Sequence, residues 1–177
     1  MRINLIPPSL LADQHLIAEY REIKMLPKCA LRSLNSKKGL LKEKISKTYV
    51  LNTGHGYFFY DKLLFIEKRF NMILLVMQKR GFATNHNTLP QVALPEYLYN
   101  DYVPTNDEIY ISLCRIIFRI NEKPHWYLFN RKNINWDTYY DQYLLLIDKP
   151  YPVLENYEET MSLQEEKMTE DKDFYNF

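Results

Sequence analysis

The stretch from Gly56 to Gly81, GYFFYDKLLFIEKRFNMILLVMQKRG, decides the fold class. Its apolar positions include Phe58, Phe59, Leu63, Phe65, Ile66, Phe70, Ile73, Leu74 and Met77. Intervals of three and four residues are those of a helix, and here the apolar residues spread over more than one side. A helix of that kind must be covered by several neighbours. The spacing therefore predicts a central, buried helix from near Gly56 to about Arg80. Gly81 follows Lys79 and Arg80 and is a natural stop, because glycine takes the left-handed conformation that closes a helix.

On the N-terminal side, residues 1–9 form a short arm ending in Pro7-Pro8-Ser9, and Ser9 is the expected N-cap of a helix. From Leu10 to about Leu31 the pattern is again helical. Leu16, Tyr20 and Ile23 recur at the spacing of a buried stripe. His15, Glu19 and Glu22 repeat that spacing on an adjacent face. Seven residues are nearly two turns, so His15 and Glu22 project in almost the same direction. Residues 32–55 read as a loop carrying Arg32, Lys37, Lys38, Lys42, Lys44 and Lys47, either a solvated surface or a lobe that contacts phosphates. Residues 82–104 read as a second loop.

On the C-terminal side, Thr105 and Glu108 fit a capping box opening a third helix. It runs to about Glu122 and stops before Pro124. Arg115 and Arg119 lie four apart on one face of it. Tyr139, Tyr140, Tyr143 and residues 144–147 suit a short extra helix docked on the body. No stretch alternates with period two, and no internal repeat is visible. The expectation is an all-α protein: a compact three-helix domain over residues 1–132 and an acidic extension over 133–177. The extension is expected to be partly helical, then disordered from about 155.

With 177 residues and 46% hydrophobic content the chain can bury a sizeable core. Four glycines argue against a glycine-rich phosphate loop or a sandwich full of tight turns. The 15% aromatic content is read first as packing. The apolar run Met72 to Met77 is far shorter than the roughly 20 residues of a membrane span, and no signal peptide follows Arg2. Cys29 and Cys114 lack CxxC spacing and read as reduced, buried thiols of a cytosolic protein. His15, His55, His86 and His125 lack paired ligand spacing, so neither a metal nor another cofactor is expected. The net charge of +1 hides an asymmetry. Residues 1–132 hold 20 Lys/Arg against 11 Asp/Glu, a net of +9, and residues 133–177 hold 3 against 11, a net of −8. The basic body suits a polyanion such as DNA. The acidic end suits a solvated or interacting tail, one able to fold back and compete with DNA.

Several strings carry a resemblance. They are Arg2-Ile3-Asn4-Leu5, Leu11-Ala12-Asp13-Gln14-His15-Leu16 and Ala18-Glu19-Tyr20-Arg21-Glu22 in the first 22 residues. Gly54-His55, Phe58 to Leu63, Lys79-Arg80-Gly81-Phe82, Asp101 to Pro104 and Pro124 to Tyr127 continue it in order. Together they resemble the phage-type pyrimidine-dimer DNA glycosylase family over roughly residues 1–132. The resemblance implies an all-α domain whose N-terminal arm lies between helices, close to a carboxylate on the first helix. It implies a DNA-repair enzyme that cleaves the glycosidic bond at cyclobutane pyrimidine dimers and then cuts the strand at the abasic site by β-elimination. The N-terminal amine is the nucleophile of that chemistry and Glu22 is the carboxylate. The implied partner is double-stranded DNA with damaged pyrimidines or abasic sites, bound by a monomer in the cytoplasm, nucleoid-associated or in a viral host.

The chemistry explains these group types. A glycosylase must stabilise positive charge developing on the sugar, which an ionised carboxylate does. A lyase must form a Schiff base, and only an unprotonated amine attacks. An α-amine has a reference pKa of about 7.7–8.0 against about 10.4 for lysine, so it is partly neutral without deep burial. A base must then take the C2′ proton so that the 3′ phosphate leaves, and Glu22 suits that step too.

The sequence departs from the family at its start. The family's gene begins Met-Thr-Arg, and removal of Met leaves threonine to supply the amine. Here Arg2 follows Met1, and a bulky second residue keeps Met1 in place. Met1 then falls where the family's threonine falls, at the same distance from Glu22. The resemblance places Arg2, His15, Arg21, Arg115 and Arg119 among DNA-contacting residues, and the aromatic pair Trp126 and Tyr127 either in packing or on DNA. Met25 aligns with a family arginine, and Lys24 or Lys28 is the candidate to replace it. Two rival readings remain beside this one: a lyase or glycosylase for another lesion, and a non-catalytic module that binds damaged DNA.

Overall fold

The computed structural model describes residues 2–145, apart from the side chains of Thr138 and Leu144. Met1 and the part of the extension expected to be disordered, residues 155–177, lie outside the described residues. The described chain is helical and contains no strand, only isolated antiparallel bridges such as Lys62 with Tyr99. Its α-helices are α1 (Asp13–Ile23), α2 (Leu26–Leu34), α3 (His55–Phe58), α4 (Leu63–Lys79), α5 (Asn106–Glu122) and α6 (Trp136–Leu144).

Both long N-terminal helices expected from the periodicity are split. The run over 10–31 breaks at Lys24 and Met25, and Pro27 is the reason. Its ring nitrogen has no hydrogen to donate to Ile23, and its ring opposes that carbonyl, so α2 restarts with Pro27 in its first turn. The expected cap also moves. Ser9 lies within a 3-10 turn, Pro8–Leu10, and Ala12 is the N-cap of α1. The run over 56–80 breaks between Phe58 and Leu63. Lys62 satisfies the end of α3, its ammonium donating to the carbonyl of Phe58 at 2.9 Å and pairing with Asp61 at 2.7 Å.

The local stop and start signals behave as expected. Gly81 takes φ +69°. The amide of Gly81 donates to Gln78 and that of Phe82 to Met77, each at 2.9 Å, which closes α4 in a Schellman turn. Thr105 and Glu108 cap each other's backbone at the start of α5.

Helix α4 packs against α1 and the 3-10 turn that precedes it. Leu16, Tyr20 and Ile23 of α1, Ile66, Phe70 and Ile73 of α4, and Leu113, Ile117 and Ile120 of α5 belong to one buried core cluster. The arm enters this core, with Ile3, Leu5 and Ile6 buried in it. Helix α6 adds Trp136, Tyr139, Tyr140 and Tyr143 to the same cluster. Its Tyr140 hydroxyl donates to Asn121 at 2.8 Å and its Tyr143 hydroxyl to the carbonyl of Leu10 at 2.7 Å. Cys114 is buried, but Cys29 is only half-buried, a correction to the expectation for both thiols.

Candidate active site

An arm buried as an irregular segment must find a partner for each of its backbone polar groups. The loop before α3, α3 itself, α4 and α5 supply partners for four of them. The N–H of Ile3 donates to Nε2 of His55 at 2.8 Å, and the Ile3 carbonyl accepts from the Tyr49 hydroxyl at 2.9 Å. The N–H of Leu5 donates to Ser112 Oγ on α5 at 3.0 Å. The carbonyl of Ile6 accepts from Arg69 on α4 at 2.6 Å. The arm therefore passes between α1, α4 and α5, with the loop before α3 along its start.

Asn4 ties three of these elements together. Its Nδ2 donates to Glu19 Oε2 of α1 at 2.6 Å, and its Oδ1 accepts from Arg115 of α5 at 2.6 Å. Glu19 in turn holds Arg69 of α4 in a two-pronged pair, at 2.8 Å to Nε and 3.1 Å to a terminal nitrogen. Both partners are buried. A pair so placed needs further hydrogen bonds around it, and here Asn4 donates to Glu19 while the Ile6 carbonyl accepts from Arg69.

Next to this network a cavity of about 400 Å³ opens, lined by Arg2, Asn4, His15, Arg115, Arg119 and Trp126 among others. Lys123, Tyr127 and Glu122 complete its charged and aromatic wall. Four cationic side chains face one carboxylate, and that carboxylate is paired with Arg119 at 2.8 Å. A concave, positively charged wall with exposed Trp126 beside it suits phosphates and a stacked base.

His15 is buried in this wall, tilted against Tyr127 with ring centroids 4.7 Å apart. Burial, and then the charges of Arg115, Arg2 and Arg119, pull its pKa down to about 3. At neutral pH it is an uncharged imidazole. Any DNA contact it makes is a hydrogen bond or packing, not an ion pair. Its Nδ1 is buried without a hydrogen-bond partner in the described structure.

The cavity gathers Arg2, His15, Arg115 and Arg119 of the residues singled out in the sequence. Arg21, Glu22 and Lys24 are not among its walls and sit at the C-terminal end of α1. Glu22 is half-buried, with Oε2 shielded from solvent. Arg21 is exposed. Lys24 lies over the ring of Tyr20, 3.9 Å from its centroid. Met25, at the position of the family arginine, is exposed, as is Lys28. Met1 lies outside the described residues.

Sequence reasoning missed Asn4, Glu19, Arg69, Tyr49 and His55 as parts of this site. One signal was present. Arg69 falls on the apolar stripe of α4 between Ile66, Phe70 and Ile73, where a charge demands a buried partner. Among the described residues no three His, Cys, Asp or Glu side chains come close enough together to hold a metal ion. No described helix is long and apolar enough to cross a membrane. A model of the pyrimidine dimer DNA glycosylase family matches residues 1–89, which include the arm, α1 and all of α4.

Proposed function

As a member of the pyrimidine dimer DNA glycosylase family this chain is a DNA-repair glycosylase, and we propose that it also acts as an abasic-site lyase through the α-amine of Met1. The lone pair of the amine attacks C1′ at a cyclobutane pyrimidine dimer. The glycosidic bond breaks, and its electron pair leaves with the base. Loss of the amine proton and opening of the sugar then give a Schiff base between the chain and C1′. Glu22 stabilises the positive charge that develops on the sugar. It then takes the C2′ proton, the C3′–O bond breaks, and the 3′ phosphate departs. Water hydrolyses the imine and frees the amine. Arg2, Arg21, Lys24, Arg115 and Arg119 contact the phosphates, with His15 as a neutral neighbour.

The observation that carries this reading is the arm. Its second and fourth residues, Arg2 and Asn4, line the same cationic cavity as Arg115 and Arg119. Arg2 at this wall, next in sequence to Met1, is what supports a reading in which the Met1 amine works on DNA held there. Damaged DNA bends and unstacks at lower cost than intact duplex, so a protein of this kind recognises a dimer by shape.

The test is borohydride trapping on duplexes carrying a dimer or an abasic site. A covalent adduct on both supports the proposal. An adduct on the abasic duplex alone favours a lyase for another lesion, a reading to which Met25 in place of the family arginine lends weight. Salt-sensitive binding with no adduct favours a module that binds damage without chemistry.

A further inference from the structure

We infer that His55 is a positioning residue for the nucleophilic amine, a latch that fixes the arm without adding charge. The inference rests on the reading of that amine as the nucleophile. His55 is 1% exposed, and its two ring nitrogens have different partners. Nε2 accepts from the Ile3 N–H at 2.8 Å, so it carries no proton. Nδ1 therefore carries it, and donates to the Val50 carbonyl at 2.6 Å. The ring is wedged edge-on between Tyr49 and Phe59, with centroids at 5.3 and 5.4 Å. The neighbouring Tyr49 holds the carbonyl of the same residue, Ile3. Tyr49 in the loop and His55 at the head of α3 thus grip both polar groups of Ile3, and the amine two residues upstream is tethered within about 7 Å of chain from that grip.

The choice of an imidazole has a chemical consequence. The buried Ile3 N–H needs an acceptor. A carboxylate there would satisfy it but would favour the protonated, unreactive form of a nearby amine. A neutral imidazole accepts equally well and leaves the amine free to lose its proton. The cationic wall beyond, with Arg115, acts in the same direction.

The experiment compares wild type, His55→Phe and His55→Gln in single-turnover borohydride trapping on an abasic duplex, with duplex affinity measured in parallel. Gln places an amide oxygen near the position of Nε2 and carries no charge. The expected result is trapping at least tenfold slower in His55→Phe, an affinity within twofold of wild type, and recovery of most of the rate in His55→Gln. Trapping by His55→Phe at the wild-type rate overturns the inference, as does an equal loss in both variants. If His55→Phe does not fold, Tyr49→Phe carries the test from the other side of Ile3. Slower trapping at unchanged affinity supports the latch, and the wild-type rate overturns it. A wild-type protein that forms no adduct at all overturns the amine reading instead, a result distinct from each of these.

Discussion

Arg69 and Glu19 meet in the interior, on α4 and α1, with side chains 3% and 0% exposed and two hydrogen bonds between them. Removing one partner leaves a buried charge with nothing opposite it. Arg69→Met is expected to cost about 3–5 kcal/mol of stability in denaturant unfolding. It also frees the Ile6 carbonyl, so the arm loosens. A loss below about 1 kcal/mol would show that the pair is replaceable.

Glu22→Gln keeps the shape of the side chain and removes its charge. The glycosylase rate on a dimer duplex is expected to fall by at least about a hundredfold, the scale of losing an electrostatic stabiliser at the reacting centre. Binding to the same duplex should stay within about threefold. A variant that still cuts dimers at the wild-type rate removes Glu22 from the chemistry.

A single residue added before Met1 moves the amine by one peptide unit while the arm beyond Ile3 stays clamped. Trapping on an abasic duplex is expected to disappear, with the thermal midpoint unchanged within about 2 °C. Full activity in such a protein sinks the assignment of the Met1 amine.

Arg119 lines the cavity at its exposed rim. Arg119→Ala is expected to weaken DNA binding and to flatten the dependence of log affinity on log salt by about 0.9, the contribution of one phosphate contact. Arg115→Ala should slow the reaction more than Arg119→Ala, because Arg115 also holds Asn4 in the arm. An unchanged salt slope in Arg119→Ala places that residue off the DNA path.

His15 and His55 both have pKa values lowered to about 3, in each case chiefly by burial. The unfolded chain binds these protons more readily than the folded one. Stability is therefore whole above about pH 6.5 and falls as the pH drops toward 3, at up to about 1.4 kcal/mol per pH unit for each histidine. Urea midpoints measured at pH 7, 5.5 and 4.5 should decline, and the decline should be shallower in His55→Gln. Midpoints independent of pH across this window would show both rings to be charged or exposed.

The elements legible in the sequence are those whose signals are local. Gly81 ends α4, and Thr105 with Glu108 starts α5, because each needs only residues within one turn. Pro27 was a local signal too, but the apolar stripe through Leu16, Tyr20 and Ile23 continues into α2 and masked the break. The break at Phe58 to Leu63 is less visible, since Phe58, Phe59 and Leu63 are all buried whether or not one helix carries them. The arm's partners were not legible at all. Ile3 meets His55 across 52 residues and Asn4 meets Arg115 across 111, and no spacing rule reaches that far. The basic side chains of the site carry a charge signal that survives in one dimension. The neutral latch and the amide of Asn4 carry none.

The clamped arm also orders events during synthesis. Its first six residues leave the ribosome before everything that holds them, and Ser112 and Arg115 follow more than a hundred residues later. At typical elongation rates of about 5–20 residues per second, the arm waits on the order of ten seconds before its seat exists. Contacts of such long range close late and slowly. The arm is thus made long before the helix that seats it, and a chain that has not yet formed α5 lacks the Arg115 and Arg119 wall of the cavity.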